Sequence, residues 1–125
     1  MSLKFLVVDD SVTMRRIVAN SLKGIGYSEF LEAGDGKEAM DVLNANTDIT
    51  FVITDWNMPN MSGLELVKAI RAHATYATVP ILMVTTRGVK EDIMEALAAK
   101  VNNYVVKPFT PAILKEKIEQ IMASQ

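Results

Sequence analysis

Short apolar runs alternate five times with longer amphipathic stretches along this chain. The apolar runs have the length and composition of buried strands, and they cover residues 3–8, 29–33, 50–54, 81–84 and 104–106. The second run contains two glutamates, so we expect it near an edge of the sheet. Between the runs, apolar residues recur three and four positions apart, which predicts helices with one buried face.

The predicted helices cover residues 12–25, 37–43, about 63–72, 91–99 and a last segment that begins at Pro111. Asp10 or Ser11 can cap the start of the first helix, and Gly24 and Gly26 suit its end. The boundaries therefore agree with the hydrophobic spacing.

The spacing also assigns side chains to the two faces of each helix. Arg15, Arg16 and Lys23 are expected on the exposed face of the first helix. The apolar side chains expected to face the core are Met14, Ile17, Val18 and Leu22 in the first helix, Ala39, Met40 and Leu43 in the second, Leu66, Val67 and Ile70 in the third, Ile93, Met94 and Leu97 in the fourth, and Leu114, Ile118, Ile121 and Met122 in the fifth.

Regular alternation of strands and helices predicts an α/β fold. Right-handed crossovers between successive strands give a five-stranded parallel sheet with helices on both faces, which makes three layers. The carboxyl ends of the strands then lie along one edge, where open α/β sheets bind their ligands. The residues that directly follow each strand are therefore candidates for the functional site.

Composition narrows the class of protein. We expect one domain, residues 1–125, without an effector domain, because 125 residues are the length of one ordinary domain. The proportions of 50% hydrophobic and 22% charged residues are typical of a soluble globular protein. The absence of cysteine excludes disulfides and thiolate metal sites, and a formal net charge of −2 does not favour nucleic-acid binding. No apolar run is long enough for a membrane span, and residues 1–4 do not begin a signal peptide. The expectation is a cytoplasmic monomer.

Polar side chains follow four of the predicted strands, and they are Asp9, Asp10, Asp55, Thr85, Thr86 and Lys107. Carboxylates that lie close together raise one another's pKa unless a cation lies between them. Mg²⁺ prefers oxygen ligands and keeps water or phosphate oxygens in part of its shell. A carboxylate such as Asp55 can act as a nucleophile that forms an aspartyl phosphate, so the pattern predicts a magnesium-dependent phosphoryl site.

Each of these residues also has a purely structural explanation. Asp9–Asp10 could only cap the first helix, and Thr85–Thr86 could be turn residues. Lys107 could be a solvated lysine, and Tyr104 could be an edge-strand aromatic with its hydroxyl in water. We favour a site because these separate patterns fall on one edge of the sheet.

Two other functional classes also use the end of a strand in this kind of fold. A haloacid-dehalogenase-type enzyme has a strand-end aspartate as nucleophile but needs a second aspartate two residues later, where this chain has Asn57. A flavodoxin-like FMN carrier needs backbone amides and hydroxyls for its phosphate, where this chain has Asp9 and Asp10. The sequence disfavours both.

Several stretches together resemble the receiver domain of bacterial response regulators, and most closely the chemotaxis receivers. They are Asp9-Asp10 after the first strand, residues 13–17 (TMRRI), 55–61 (DWNMPNM) and 63–66 (GLEL), the strand end at Thr85, and residues 104–110 (YVVKPFT). The similarity extends over essentially the whole chain. It implies a flavodoxin-like (βα)5 fold with strand order 2-1-3-4-5, an order known for this family and not predicted by periodicity.

The resemblance implies a role for each matching residue at the site. Asp55 would accept a phosphoryl group from a histidine kinase, and Lys107 would pair with a phosphoryl oxygen. The Mg²⁺ ligands would come from Asp9, Asp10, Asp55 and the backbone carbonyl of Asn57. Such a domain promotes its own phosphotransfer and dephosphorylation but is a signalling domain rather than an enzyme.

The resemblance also implies a switch. Thr85 would move to bind the phosphoryl group, Tyr104 would then turn inward, and Lys107–Pro108 would be a cis peptide. The partner surface would lie beside Tyr104 and would include Lys90, Ile93, Lys100 and Lys117. The implied partners are the flagellar motor switch and a phosphatase. The alternative is a phosphate-sink or relay receiver without motor output.

Two positions depart from the resemblance. Arg87 stands two residues after the switch threonine, where chemotaxis receivers carry an acid, and we expect Arg87 and Asn57 to gate water at the acyl phosphate. Lys100 stands where related receivers often have the glycine that ends the fourth helix. Lys100 would adopt a left-handed conformation, or Asn102 and Asn103 would supply the turn instead.

Overall fold

The computed structural model describes residues 3–125, and a five-stranded parallel sheet lies at its centre. Residues 1–2 lie outside the described range. The predictions that include them, the domain bounds and the lack of a signal peptide at residues 1–4, are therefore only partly covered by the structure. The strands are β1 (Lys4–Val8), β2 (Glu29–Ala33), β3 (Phe51–Thr54), β4 (Ile81–Thr85) and β5 (Asn103–Val106). Their order β2-β1-β3-β4-β5, with parallel pairing throughout, confirms the predicted fold class.

Helices cover both faces of the sheet, as predicted. They are α1 (Val12–Ile25), α2 (Gly36–Ala45), α3 (Gly63–Arg71), α4 (Lys90–Ala98) and α5 (Pro111–Ala123). Each predicted boundary lies within two residues of the observed one. None of the described helices is both long and apolar enough to cross a membrane.

Two apolar clusters hold the three layers together. On one face, Val18 and Leu22 of α1 and Ile118 of α5 pack against β-strand side chains such as Phe5. On the other face, the buried side chains of α2, α3 and α4 include Ala39, Leu43, Leu66, Val67, Ile70 and Ala96. Burial of apolar surface on both faces fixes the sheet between the helices and so fixes the edge where the strands end.

Three apolar side chains that were predicted to face the core are exposed instead. Ile17 of α1 is 44% exposed, and Met94 and Leu97 of α4 are 58% and 48% exposed. Helix α4 lies next to the edge strand β5 and buries only Ala96 fully, so its apolar stripe extends beyond the sheet that would cover it. Ile17 borders an open groove of about 410 Å³ that is also lined by Phe109.

The turn after α4 follows one of the two predicted alternatives. Lys100 itself is left-handed, with φ +77°, so Asn102 and Asn103 do not supply the turn. The guanidinium of Arg71 donates to the Lys100 carbonyl oxygen from Nε at 3.1 Å and from Nη2 at 2.9 Å. The same Nη2 donates to Asn102 Oδ1 at 3.0 Å. These bonds hold a conformation that disfavours side chains with a Cβ.

Helix α3 begins so close to the end of β3 that its first residue must be glycine. A Cβ on Gly63 would lie 1.8 Å from the carbonyl oxygen of Asp55. The Gly63 N–H donates to the Trp56 carbonyl at 2.8 Å, and Ser62 and Glu65 form a capping box at the start of α3. The loop that follows Asp55 is therefore fixed by close backbone packing.

We expect Gly63→Ala to destabilise the protein by about 1–3 kcal/mol, because the added methyl group has no space and the backbone must move. Gly24→Ala is the matched control, since a Cβ on Gly24 within α1 would meet nothing within 4 Å. That control should raise stability by about 0.5–1 kcal/mol. Urea unfolding measures both, and an equal change in the two variants would contradict the packing argument.

Candidate functional site

Three carboxylates meet where β1 and β3 end. One oxygen atom from each of Asp9, Asp10 and Asp55 lies within 4.8 Å of the others. The parallel ladder accounts for this approach, because the Asp55 N–H donates to the Val8 carbonyl at 2.9 Å and so extends the β1–β3 pairing. Asp9 is buried, Asp55 is mostly buried and Asp10 is exposed, so the cluster opens to solvent at Asp10.

Lys107 joins this cluster from the end of β5. Its Nζ donates to Asp9 Oδ2 at 2.9 Å and to Asp55 Oδ2 at 3.1 Å, and all three side chains are at most 12% exposed. Burial by itself lowers the pKa of Lys107, but the hydrogen bond to Asp9 and the charges of Asp55 and Asp9 outweigh it. The net effect holds the pKa of Lys107 above its ordinary value. Lys107 is therefore an ammonium at neutral pH.

The donor set of the cluster fits a hard divalent cation. Three carboxylates and one ammonium leave a formal charge of −2, and every donor atom that could face an ion is oxygen. Among residues 3–125, no group donates a hydrogen bond to the backbone carbonyl of Asn57, which leaves that oxygen free for a ligand role. Mg²⁺ is the common cation with this preference.

The Asp55 carboxylate is held in one orientation. Its Oδ1 accepts a hydrogen bond from the Trp56 N–H at 2.6 Å, and its Oδ2 accepts the bond from Lys107. The hydroxyl of Thr54 donates to the Asp55 carbonyl at 2.9 Å. An oriented carboxylate beside an ammonium has what a nucleophile needs for attack on a phosphoryl group.

Thr85 and Tyr104 are linked through the backbone of residue 87. Thr85 is fully buried, and its Oγ1 accepts a long bond of 3.4 Å from the Arg87 N–H. The Tyr104 hydroxyl donates to the Arg87 carbonyl at 2.6 Å, and the residue is 8% exposed. Burial, with a smaller effect of the Asp92 charge, raises the pKa of Tyr104 to about 12. The alternative in which its hydroxyl lies in water is therefore wrong, and Tyr104 is already turned inward in this structure, before any movement of Thr85. Thr86 is exposed.

The Arg87 side chain lies against the residues that follow Asp55. Its Nε and Nη2 donate to Asn57 Oδ1 at 3.1 and 2.9 Å, and its guanidinium carbon lies 4.5 Å from the centroid of the Trp56 ring. Nη1 lies 3.6 Å from Asp92 at the start of α4. The structure thus brings together the two residues that were predicted to gate the site, and the gating itself stays a prediction.

Arg15 was predicted to be exposed, and this prediction is wrong. Its side chain is 17% exposed, and it contacts the site through the backbone of Asp9. Long helical side chains point back towards the start of their helix, so a basic residue in the first turn after an acidic strand end was the available signal. Arg16, the next residue, is exposed as predicted.

The predicted partner surface is only partly accessible. Lys90 and Lys100 are exposed, Ile93 and Lys117 are half-buried, and Tyr104 contributes little area because it is buried. Sequence spacing missed the exposed apolar side chains beside them, which are Val89, Met94, Leu97 and Val106. The predicted cis peptide at Lys107–Pro108 is confirmed.

Known proteins are similar to this chain in sequence and in fold. The sequence profile of the response regulator receiver domain matches residues 5–119. The chain is 56% identical over 122 residues to a Campylobacter jejuni protein (strain 81-176) named chemotaxis protein CheY homolog, covering 98% of this chain and 94% of that protein. It is 53% identical to chemotaxis protein CheY1 of Helicobacter pylori (strain 26695), with 98% of both covered. A solved structure of the chemotaxis response regulator CheY4 of Vibrio cholerae has a TM-score of 0.88 and 37% identity, covering 97% of this chain and 99% of that one.

We expect Asp10→Asn to stabilise the protein by about 1 kcal/mol in EDTA, because it removes one of three mutually repelling charges near the surface. Added Mg²⁺ should stabilise the parent protein by binding its folded state and should stabilise this variant much less. Urea unfolding with and without Mg²⁺ measures both effects.

Asp41→Asn is the control for this prediction, since Asp41 is an exposed acid on α2 outside the cluster. It should change neither the stability in EDTA nor the response to Mg²⁺. If Asp10→Asn behaved like Asp41→Asn, the cluster would not be a repulsive metal site.

Proposed function

Because the chain belongs to the response regulator receiver family, we propose that it accepts a phosphoryl group on Asp55 and signals by phosphorylation-dependent protein binding. The observation that best supports this proposal is the ammonium of Lys107, which joins Asp9 to Asp55 inside a cluster of three carboxylates. The names of the Campylobacter and Helicobacter relatives favour a chemotaxis pathway. The proposed donor is a chemotaxis-type histidine kinase, the proposed target is the flagellar motor switch, and the compartment is the cytoplasm.

In the proposed reaction, an oxygen of Asp55 attacks the phosphorus of a phosphohistidine. The new oxygen–phosphorus bond forms as the nitrogen–phosphorus bond of the donor breaks, and the imidazole leaves with its electron pair. Lys107 is already placed to pair with a phosphoryl oxygen, because its Nζ lies 3.1 Å from Asp55 Oδ2. A bound Mg²⁺, held by the three carboxylates and the Asn57 carbonyl, would neutralise charge on the transferred group.

The proposed switch uses the residue 87 backbone as its link. Among residues 3–125, the Thr85 hydroxyl forms a single side-chain hydrogen bond, the weak one of 3.4 Å that it accepts from the Arg87 N–H, so its own O–H is available to donate to a phosphoryl oxygen. The carbonyl of the same residue accepts the Tyr104 hydroxyl at 2.6 Å. Movement of Thr85 would therefore change the support of Tyr104 and bias the surface around it.

The proposed docking surface for the motor switch lies on α4 and β5. Lys90, Met94 and Leu97 recur four and three positions apart, which puts their exposed side chains on one face of α4. Val106 adds an exposed apolar side chain from β5. A mixed apolar and basic face of this kind suits an amphipathic segment with acidic residues.

We expect beryllofluoride, a phosphoryl mimic, to tighten binding of a motor-switch N-terminal peptide by about tenfold, which is a usual size for coupling between two sites. Met94→Ser should weaken that binding, whereas Val12→Ser, an equally exposed apolar position on α1, should not. Fluorescence anisotropy of the labelled peptide measures both effects. An equal peptide affinity with and without beryllofluoride would favour the alternative, a phosphate-sink or relay receiver.

We expect Arg87→Glu to change the lifetime of the acyl phosphate and to alter its use by a phosphatase. Loss of the bonds to Asn57 Oδ1 opens the region next to Asp55 to water, so spontaneous decay should accelerate by about threefold to tenfold. Decay after removal of the phosphodonor can be followed by Phos-tag electrophoresis. Arg16→Glu, at an exposed arginine on α1, is the control. Equal decay rates for Arg87→Glu and the parent protein would contradict the proposal that Arg87 limits water access to the acyl phosphate.

A further inference from the structure

The Arg15 guanidinium bridges β1 and β2 beneath the acidic cluster. Its Nη1 donates to the Asp9 carbonyl at 2.6 Å, and its Nε donates to Glu32 Oε1 at 3.0 Å. The side chain of Arg15 is 17% exposed, whereas that of Glu32 on the edge strand is 42% exposed. The guanidinium of Arg15 therefore donates to two protein acceptors, the Asp9 carbonyl and the Glu32 carboxylate.

The bond to the Asp9 carbonyl completes the anchoring of that residue. The Asp9 N–H donates to the Ala33 carbonyl at 3.1 Å, Oδ1 accepts from the Ser11 N–H at 2.9 Å, and Oδ2 accepts from Lys107. The carbonyl oxygen is the remaining polar atom of Asp9, and Arg15 binds it. Every polar atom of Asp9 therefore has a hydrogen-bond partner, which restricts its movement.

The orientation of the Asp9 carbonyl decides where Asp10 points. The peptide unit is planar, so a fixed Asp9 carbonyl oxygen also fixes the Asp10 nitrogen and Cα. Among residues 3–125, no group forms a hydrogen bond or an ion pair with the Asp10 carboxylate, and Asp10 is exposed. Its position in the cluster therefore depends on the backbone that presents it.

We propose that Arg15 is a positioning residue that holds the Asp9–Asp10 peptide plane and so places the Asp10 carboxylate for Mg²⁺. This inference rests on the proposed function, because it assumes that the cluster binds Mg²⁺. Arg15 contacts a backbone carbonyl and not a carboxylate of the cluster, and the charge of Glu32 offsets its own. Its effect is therefore one of geometry more than of net charge.

The test compares two metals that differ in their demands on geometry. Mg²⁺ requires a near-ideal octahedron with short bonds, whereas Ca²⁺ accepts irregular shells with longer bonds. Arg15→Lys keeps the charge but loses the planar fork that binds two acceptors. We expect the Kd for Mg²⁺ to rise about tenfold in this variant, the lower end of the usual effect for residues that orient metal ligands. The Kd for Ca²⁺ should rise much less.

Trp56 directly follows Asp55, so its emission provides the titration signal for both metals. Arg16→Lys, at the neighbouring exposed arginine, should match the parent protein. Glu32→Ala provides a second variant at a partly exposed position, and by freeing the fork it should also lower the preference for Mg²⁺ over Ca²⁺. Urea unfolding in EDTA measures stability separately for every variant.

A lowered Mg²⁺ preference in Arg15→Lys and Glu32→Ala, with Arg16→Lys unchanged, would support the positioning role. Unchanged Mg²⁺ affinity with reduced stability would overturn it, because Arg15 would then only support the fold. Equal weakening of Mg²⁺ and Ca²⁺ binding in Arg15→Lys would also overturn it, because the loss would then not depend on the strict geometry that Mg²⁺ requires. A parent protein that gave no Mg²⁺ response at all would instead refute the proposed function, and this inference with it.

Discussion

The contacts of Lys107 with Asp9 and Asp55 bring three strands of the sheet to one point. The two carboxylates are 98 and 52 residues away from Lys107 in sequence, at 2.9 and 3.1 Å. Strand β4 lies between β3 and β5, so the lysine must extend its side chain past the end of β4 to reach both acids. The strand order, the register and the length of a lysine side chain together determine whether the site exists.

The same contacts expose a conflict between stability and function. Three carboxylates share one ammonium, and a cluster with a residual charge of −2 repels itself without a cation. Replacing such groups with neutral ones is often stabilising, so their presence is better explained by chemistry than by folding. Backbone contacts hold the acids together against this repulsion. They include the close packing of Gly63 on the Asp55 backbone and the bond from Arg15 to the Asp9 carbonyl.

Hydrophobic spacing predicted the layers and the strand ends because both depend on local periodicity. It could not predict how far a helix overhangs the sheet, which is why Met94 and Leu97 of α4 are exposed. Nor could it predict that Arg15 turns back under the cluster, because its acceptors are a backbone carbonyl and a side chain on the second strand. The strand order came from the family resemblance. Asp9, Asp10, Asp55 and Lys107 could be placed together from sequence because each directly follows a strand.

Asp55, and not a neighbouring acid, is the residue that we propose receives the phosphoryl group. Acetyl phosphate with Mg²⁺ followed by borohydride reduction converts an acyl phosphate on aspartate to homoserine, which peptide mass mapping can locate. We expect homoserine at position 55 alone, and none when EDTA replaces Mg²⁺. Homoserine at Asp9 or Asp10, or modification that persists in Asp55→Asn at the parent rate, would contradict it.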